Sequence, residues 1–112
     1  MYLKHLNYEI DLMLKTLKYI LQANEFLRLP KVMRSVVFYS EGKNYWPLFK
    51  GLIDGILDQS DLNVCYISSG KDDPGFEYSD KHFKSFLIDD SYVRNWLFEN
   101  MQADVLIMTM PD

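Results

Sequence analysis

Two polar segments hold most of the residues equipped for chemistry: Glu41-Gly42-Lys43-Asn44-Tyr45-Trp46 and Ser68-Ser69-Gly70-Lys71-Asp72-Asp73-Pro74. The first falls between a strand-like run and a helix-like one, where nucleotide-binding folds carry their phosphate loop. Gly42 is its only glycine, so the G-x-G-x-x-G fingerprint is absent. No G-x-x-x-x-G-K-[ST] occurs either, which argues against dinucleotide and P-loop nucleotide binding. The simpler expectation is a tight turn at Gly42 with Tyr45 and Trp46 packed on the sheet edge. In the second segment, Asp72 and Asp73 have the oxygen ligands that Mg²⁺ takes beside a phosphate. Adjacent aspartates are more often solvated turn formers, and that is the expectation for both. For Asp89-Asp90 the expectation is helix capping.

Histidine is the usual general base. His5 lies beside the apolar stripe of the first segment and His82 sits in the charged stretch Asp80-Lys81-His82-Phe83-Lys84, so both are expected at the surface, away from the carboxyl end of any strand. No serine or cysteine stands in a nucleophile motif such as G-x-S-x-G. Cys65 is the single cysteine and lies in the apolar run Val64-Cys65-Tyr66-Ile67. It is expected to be a small buried hydrophobe, and no disulfide can form within the chain. On these residues no catalytic group, metal site or cofactor is assigned.

The elements that must position these loops follow from hydrophobic periodicity. Leu3, Leu6, Ile10, Met13, Leu17, Ile20 and Leu27 recur three and four apart with Asn24 as the polar member, which predicts a helix over Leu3 to Leu29, stopped by Pro30. Met13-Leu14 and Ile20-Leu21 widen the stripe, which suits a helix packed on a domain or a partner as well as a coiled-coil seam. Ser35 to Ser40 and Asn63 to Ser68 are continuous apolar runs expected as strands buried on both faces. Pro47 suits the first turn of the helix between them, running on through Leu57. Ser69 to Gly75 is expected to be a loop, Ser85 to Ile88 a short third strand, Tyr92 to Asn100 a helix presenting Val93, Trp96, Leu97 and Met101, and Asp104 to Thr109 a fourth strand. Residues 1–30 thus form an amphipathic helix, and 31–112 a Rossmann-like α/β domain with a mostly parallel sheet and helices on both faces. Ligands of such sheets sit beyond the carboxyl ends of the strands.

Composition agrees with one folded domain. The chain has 112 residues, 48% hydrophobic and 25% charged, with a formal charge of −4. That balance, with no basic stripe, disfavours nucleic acid as a partner. Lys15, Lys18 and Gln22 interrupt the most apolar stretch before the roughly 20 residues a membrane span requires, and the amino terminus lacks the pattern of a secretory signal. An intracellular protein is expected.

Three stretches carry a resemblance: Val36 to Pro47, Val64 to Pro74 and Asp104 to Asp112. In them the chain resembles the amino-terminal region of bacterial CDP-glycerol glycerophosphotransferase family proteins. The resemblance implies a cytoplasmic transferase, peripheral on the inner face of the membrane, that moves glycerol phosphate from a nucleotide-linked donor, CDP-glycerol, to a polymer acceptor in teichoic-acid-type cell-envelope synthesis. It also implies a GT-B-like architecture of two Rossmann-like halves, with this chain as the acceptor-facing half. By resemblance and position, Glu41, Gly42, Lys43, Ser69, Gly70 and Lys71 line the substrate cleft. The family's histidines, in His-Gly or His-Ser contexts, would lie beyond Asp112, so the chain alone is expected to be inactive. Two alternatives stand beside this: another GT-B glycosyltransferase using a nucleotide sugar, and a small non-enzymatic α/β module whose first helix pairs with a partner or with itself.

Overall fold

A computed structural model describes residues 2–109, with side chains from His5 onward; the side chain of Leu3 and residues 110–112 of the family-like third stretch lie outside it. Strands β1 (Val36–Ser40), β2 (Val64–Ser68), β3 (Phe83–Leu87) and β4 (Val105–Met108) form one sheet, ordered β3-β2-β1-β4. Every pairing is parallel, with Val36 opposite Val64 and Val105, and Val64 opposite Phe83. Helices α1 (Tyr2–Leu27) and α3 (Tyr92–Asn100) cover one face, and α2 (Trp46–Gln59) covers the other. The expected α/β class with a parallel sheet and helices on both faces is what the chain adopts, in an order compatible with a Rossmann-like fold.

The strand patterns explain the layers. β1 and β2 are buried along their whole length, as central strands covered on both sides must be. Their alternate side chains feed two cores. Val37, Tyr39, Cys65 and Ile67 meet Ala23 and Phe26 of α1 and Val93 and Leu97 of α3. Val36, Phe38, Val64 and Tyr66 meet Trp46, Phe49 and Ile53 of α2. Aromatic edges knit the second core: Trp46 stands 5.2 Å from Tyr66 and 5.6 Å from Tyr78, both edge to face.

Three boundaries differ from the sequence reading. α1 ends at Leu27, because Leu29 precedes Pro30 and cannot take helical geometry, although Arg28 N–H still reaches Asn24 O at 3.0 Å. Trp46, expected in the loop, opens α2 and is buried there with Pro47 in the first turn. β3 starts at Phe83, two residues earlier than its apolar run suggested: Phe83 is buried in the core under α2 and Phe86 in the core on the other face, with exposed Lys84 between them masking the continuity.

Of the packing alternatives open for the long helix, the one with its apolar stripe packed on the domain is not taken. The helix docks on the sheet only near its carboxyl end, through Ala23 and Phe26 with Tyr19 and Leu27 beside them. Its apolar stripe is left outside: Leu6, Ile10, Met13, Leu17 and Ile20 are all exposed. Along α1, the docking face and the stripe are different faces. On β4, Val105, Leu106 and Met108 are likewise exposed.

Candidate functional site

Strand order locates the crevice. β1 connects to β2 on one side, while β3 connects through α3 to β4 on the other side of β1. The direction of winding therefore reverses between β1 and β4, and in open α/β sheets the ligand crevice lies beyond the carboxyl ends at that reversal. Three hydroxyl residues close those ends, Ser40 on β1, Ser68 on β2 and Thr109 just after β4, all buried. Ser40 stands opposite Ser68 in the sheet, and Thr109 N–H bonds Tyr39 O at 3.2 Å.

The two serines fold the loops back over their own strands. Ser40 Oγ donates to Gly42 O at 2.8 Å and accepts from Gly42 N–H at 3.2 Å. Ser68 Oγ accepts from Gly70 N–H at 3.1 Å. The paired turns bring the loops into contact, so that a Cβ on Gly70 would lie 2.9 Å from the Gly42 Cα. Gly42 itself is extended, with φ 176° and ψ 179°, and a Cβ there would meet nothing within 4 Å. The chain turns at Gly42 as expected, its O accepting Tyr45 N–H at 3.4 Å, but glycine is demanded by close approach, and at Gly70. Across the same junction Lys43 Nζ pairs with Asp72 at 3.0 Å and holds that carboxyl below its usual range.

Asp73 overturns its expected role as a solvated turn former, since only 3% of it is exposed. Its Oδ2 accepts from Tyr66 O–H and from Ser68 O–H, each at 2.7 Å, and its Oδ1 accepts from Gly75 N–H at 2.9 Å. Gly75 is fixed by the same cluster, because a Cβ there would run into the Tyr66 ring. A signal for this existed: Tyr66 and Ser68 are polar residues two apart on one face of an otherwise apolar strand, and a buried hydroxyl pair needs an acceptor. Burial pushes the Tyr66 phenol well above its ordinary range, so it serves as a donor.

On the other face of β1, Tyr39 O–H donates to Ser69 Oγ at 2.7 Å, because the Ser69 proton goes to Asp89 O at 2.8 Å. Asp89 caps α3 as expected, accepting Arg94 N–H at 3.1 Å and Ser91 N–H at 3.3 Å, whereas its neighbour Asp90 makes no capping bond among the described residues. Beside this chain of bonds a cavity of about 190 Å³ is lined by Tyr39, Glu41, Arg94, Asn95, Phe98 and Met108. Glu41 and Arg94 line it without an ion pair between them. Thr109 Oγ1, buried nearby in sequence on β4's carboxyl end, has no hydrogen-bond partner among the described residues. Arg94 belongs to no motif in the sequence, and Thr109 stands out there only as the end of the fourth strand.

Of the sequence-derived cleft residues, Glu41, Gly42, Lys43, Ser69 and Gly70 thus gather where β1 and β2 end. Lys71 does not join the cavity beside Glu41. It turns toward α1, where it shares a groove of about 370 Å³ with Lys15, Lys18 and Gln22. His5 is exposed and pairs with Glu9 at 3.1 Å. His82 is half-buried, with Nδ1 3.1 Å from Asn63 Oδ1, at the amino end of β3 and so opposite the cleft. It is thus partly exposed and away from the carboxyl ends of the strands, as expected. Cys65 is buried, its thiol donating to Met33 O at 3.1 Å, and burial raises it from 9.0 to about 12, so it is no nucleophile.

Among the described residues no helix is long and apolar enough to cross a membrane, and no group of three or more His, Cys, Asp or Glu is arranged around a metal position. Compared with known proteins, the chain matches no family model, no curated protein and no solved structure.

Proposed function

We propose that the chain is the acceptor-facing Rossmann-like half of a glycerophosphotransferase-like enzyme, which moves glycerol phosphate from CDP-glycerol to a surface polymer. The observation that carries this reading is convergence. The stretches that resemble the family, 36–47, 64–74 and 104–109, are far apart in sequence, yet each carries a strand to the same carboxyl edge of the sheet, at β2, β1 and β4. The loops there are stiffened by the Gly42–Gly70 contact and the Asp73 cluster, as a wall that holds a substrate in register must be. In this reading Arg94 takes a phosphate of the acceptor by its planar fork, and Glu41 accepts a hydrogen bond from a glycerol hydroxyl. The partner half supplies the donor site and the catalytic histidines.

The test is CMP release from CDP-glycerol with a glycerol-phosphate-primed acceptor, run on the 112-residue chain and on the full product of its gene. Turnover by the full product and none by the chain supports the reading. Turnover by the chain alone contradicts its role as one half, and a full product that is inert with CDP-glycerol but active with a nucleotide sugar replaces the family by another GT-B transferase.

A further inference from the structure

We propose that α1 is a self-association helix, and that two copies of the chain pair antiparallel through the stripe Leu6-Ile10-Met13-Leu14-Leu17-Ile20-Leu21. At 100° per residue the centre of this stripe lies about 150° round the helix from the Ala23 and Phe26 face that holds the domain. A second helix can therefore lie along it without meeting the sheet. The stripe side chains range from 37% exposed at Ile20 to 70% at Met13. Together they present on the order of 700 Å² of apolar side-chain surface, more than a monomer usually leaves in water and near the roughly 800 Å² per partner that stable interfaces bury.

The patch continues onto α3. Ile20 and Thr16 form a groove of about 280 Å³ with Val93, Tyr92 and Trp96. Tyr92 is 87% exposed and Trp96 40%, and aromatic residues of this kind anchor interfaces.

Charge chooses both the occupant and the direction. Asp11 and Lys18 flank the stripe on one side, seven residues apart, and among the described residues neither takes part in an ion pair. In a parallel in-register pair the flank that carries them in one copy lies on the opposite side of the seam from the same flank in the other, so Asp11 and Lys18 do not meet. In an antiparallel pair that sets Ile10 against Ile20 and Met13 against Leu17 of the second copy, the dyad falls level with residue 15, so Asp11 comes within about one residue of level with Lys18 twice, and Leu14 lies within about one residue of the dyad. A second copy thus satisfies the apolar surface and the flanking charges together. This inference does not depend on the transferase reading.

Sedimentation equilibrium of the chain tests it. The expected mass at high micromolar concentration is twice the 13.3 kDa of one copy, and Leu17→Glu, on the face turned away from the domain, gives the monomer with an unchanged circular dichroism spectrum. Asp11→Lys and Lys18→Asp each weaken the dimer about ten-fold, and the double exchange restores it to within about two-fold, because each copy then presents the reversed pair. Leu14→Cys cross-links under mild oxidation, Cys65 being buried. A chain that stays monomeric, a dimer indifferent to Leu17→Glu, a double exchange weaker than either single one, or a monomer that uses the stripe to bind phosphatidylglycerol vesicles would each overturn the proposal.

Discussion

Removing the Asp73 carboxylate isolates the cluster that shapes the loop after β2. Asp73→Ala leaves Tyr66 O–H, Ser68 O–H and Gly75 N–H without their acceptor, in a place with almost no access to water. A stranded buried donor costs about 1–3 kcal/mol. The Ser68 hydroxyl can rotate toward another acceptor, whereas the Tyr66 phenol is fixed by its ring, packed between Trp46 and Phe83. The net loss should then be about 3–5 kcal/mol, a large part of the ~5–15 kcal/mol that holds a domain together. Asp73→Asn should cost about 1–3 kcal/mol, since whichever way the amide turns, its NH₂ meets a donor. Urea unfolding followed by circular dichroism measures both. A double-mutant cycle with Tyr66→Phe should give a coupling of roughly 1–2 kcal/mol, because the phenol no longer needs an acceptor. A loss below about 1 kcal/mol for Asp73→Ala, or strict additivity with Tyr66→Phe, would refute the account of the cluster.

Other consequences concern the loop junction and the buried thiol. Gly70→Ala should destabilise by about 1–3 kcal/mol, as its Cβ meets the Gly42 backbone, while Gly42→Ala should change stability by less than about 1 kcal/mol; thermal melts of the two variants compare them. Asp72 has its carboxyl lowered from 3.8 by Lys43, so the tie it makes is present above that pH and fades as pH falls through the lower folded value. Protection of the Gly70 amide, relative to its intrinsic exchange rate at each pH, should therefore fall only in acid, and Lys43→Ala should abolish that dependence. Cys65 should react with iodoacetamide only as fast as the chain opens. Its folded value of about 12 lies above the ordinary 9.0, so stability is complete below pH ~9 and falls above it, by at most about 1.4 kcal/mol per pH unit; denaturant midpoints between pH 8 and pH 11 follow it.

How much was legible in the sequence depends on how local each cause is. The runs Val36 to Ser40 and Val64 to Ser68 are apolar on both faces and could only be central strands, and Pro47 marked the start of a helix within a residue. Lys84 obscured the start of β3, because an edge position is a property of the sheet. Asp73 looked like its neighbour Asp72 until the strand placed Tyr66 and Ser68 over it. The destinations of Glu41 and Lys71 diverge for the same reason: one faces α3 and the other α1, and helix docking is decided far away in sequence. The stripe on α1 was visible as a period, but the smaller Ala23 and the single Phe26 that dock the helix do not stand out beside a run of leucines.

The central claim is that the loops after β1 and β2, with the first turn of α3, bind the acceptor of a glycerophosphotransferase-like reaction. Titration of the ¹⁵N-labelled chain with a glycerol-phosphate oligomer tests it most directly. The account predicts saturable shifts at the amides of Glu41, Gly42, Gly70 and Arg94, lost in Arg94→Ala and absent with glycerol alone. Shifts confined to α1, or none at these four amides, would contradict it.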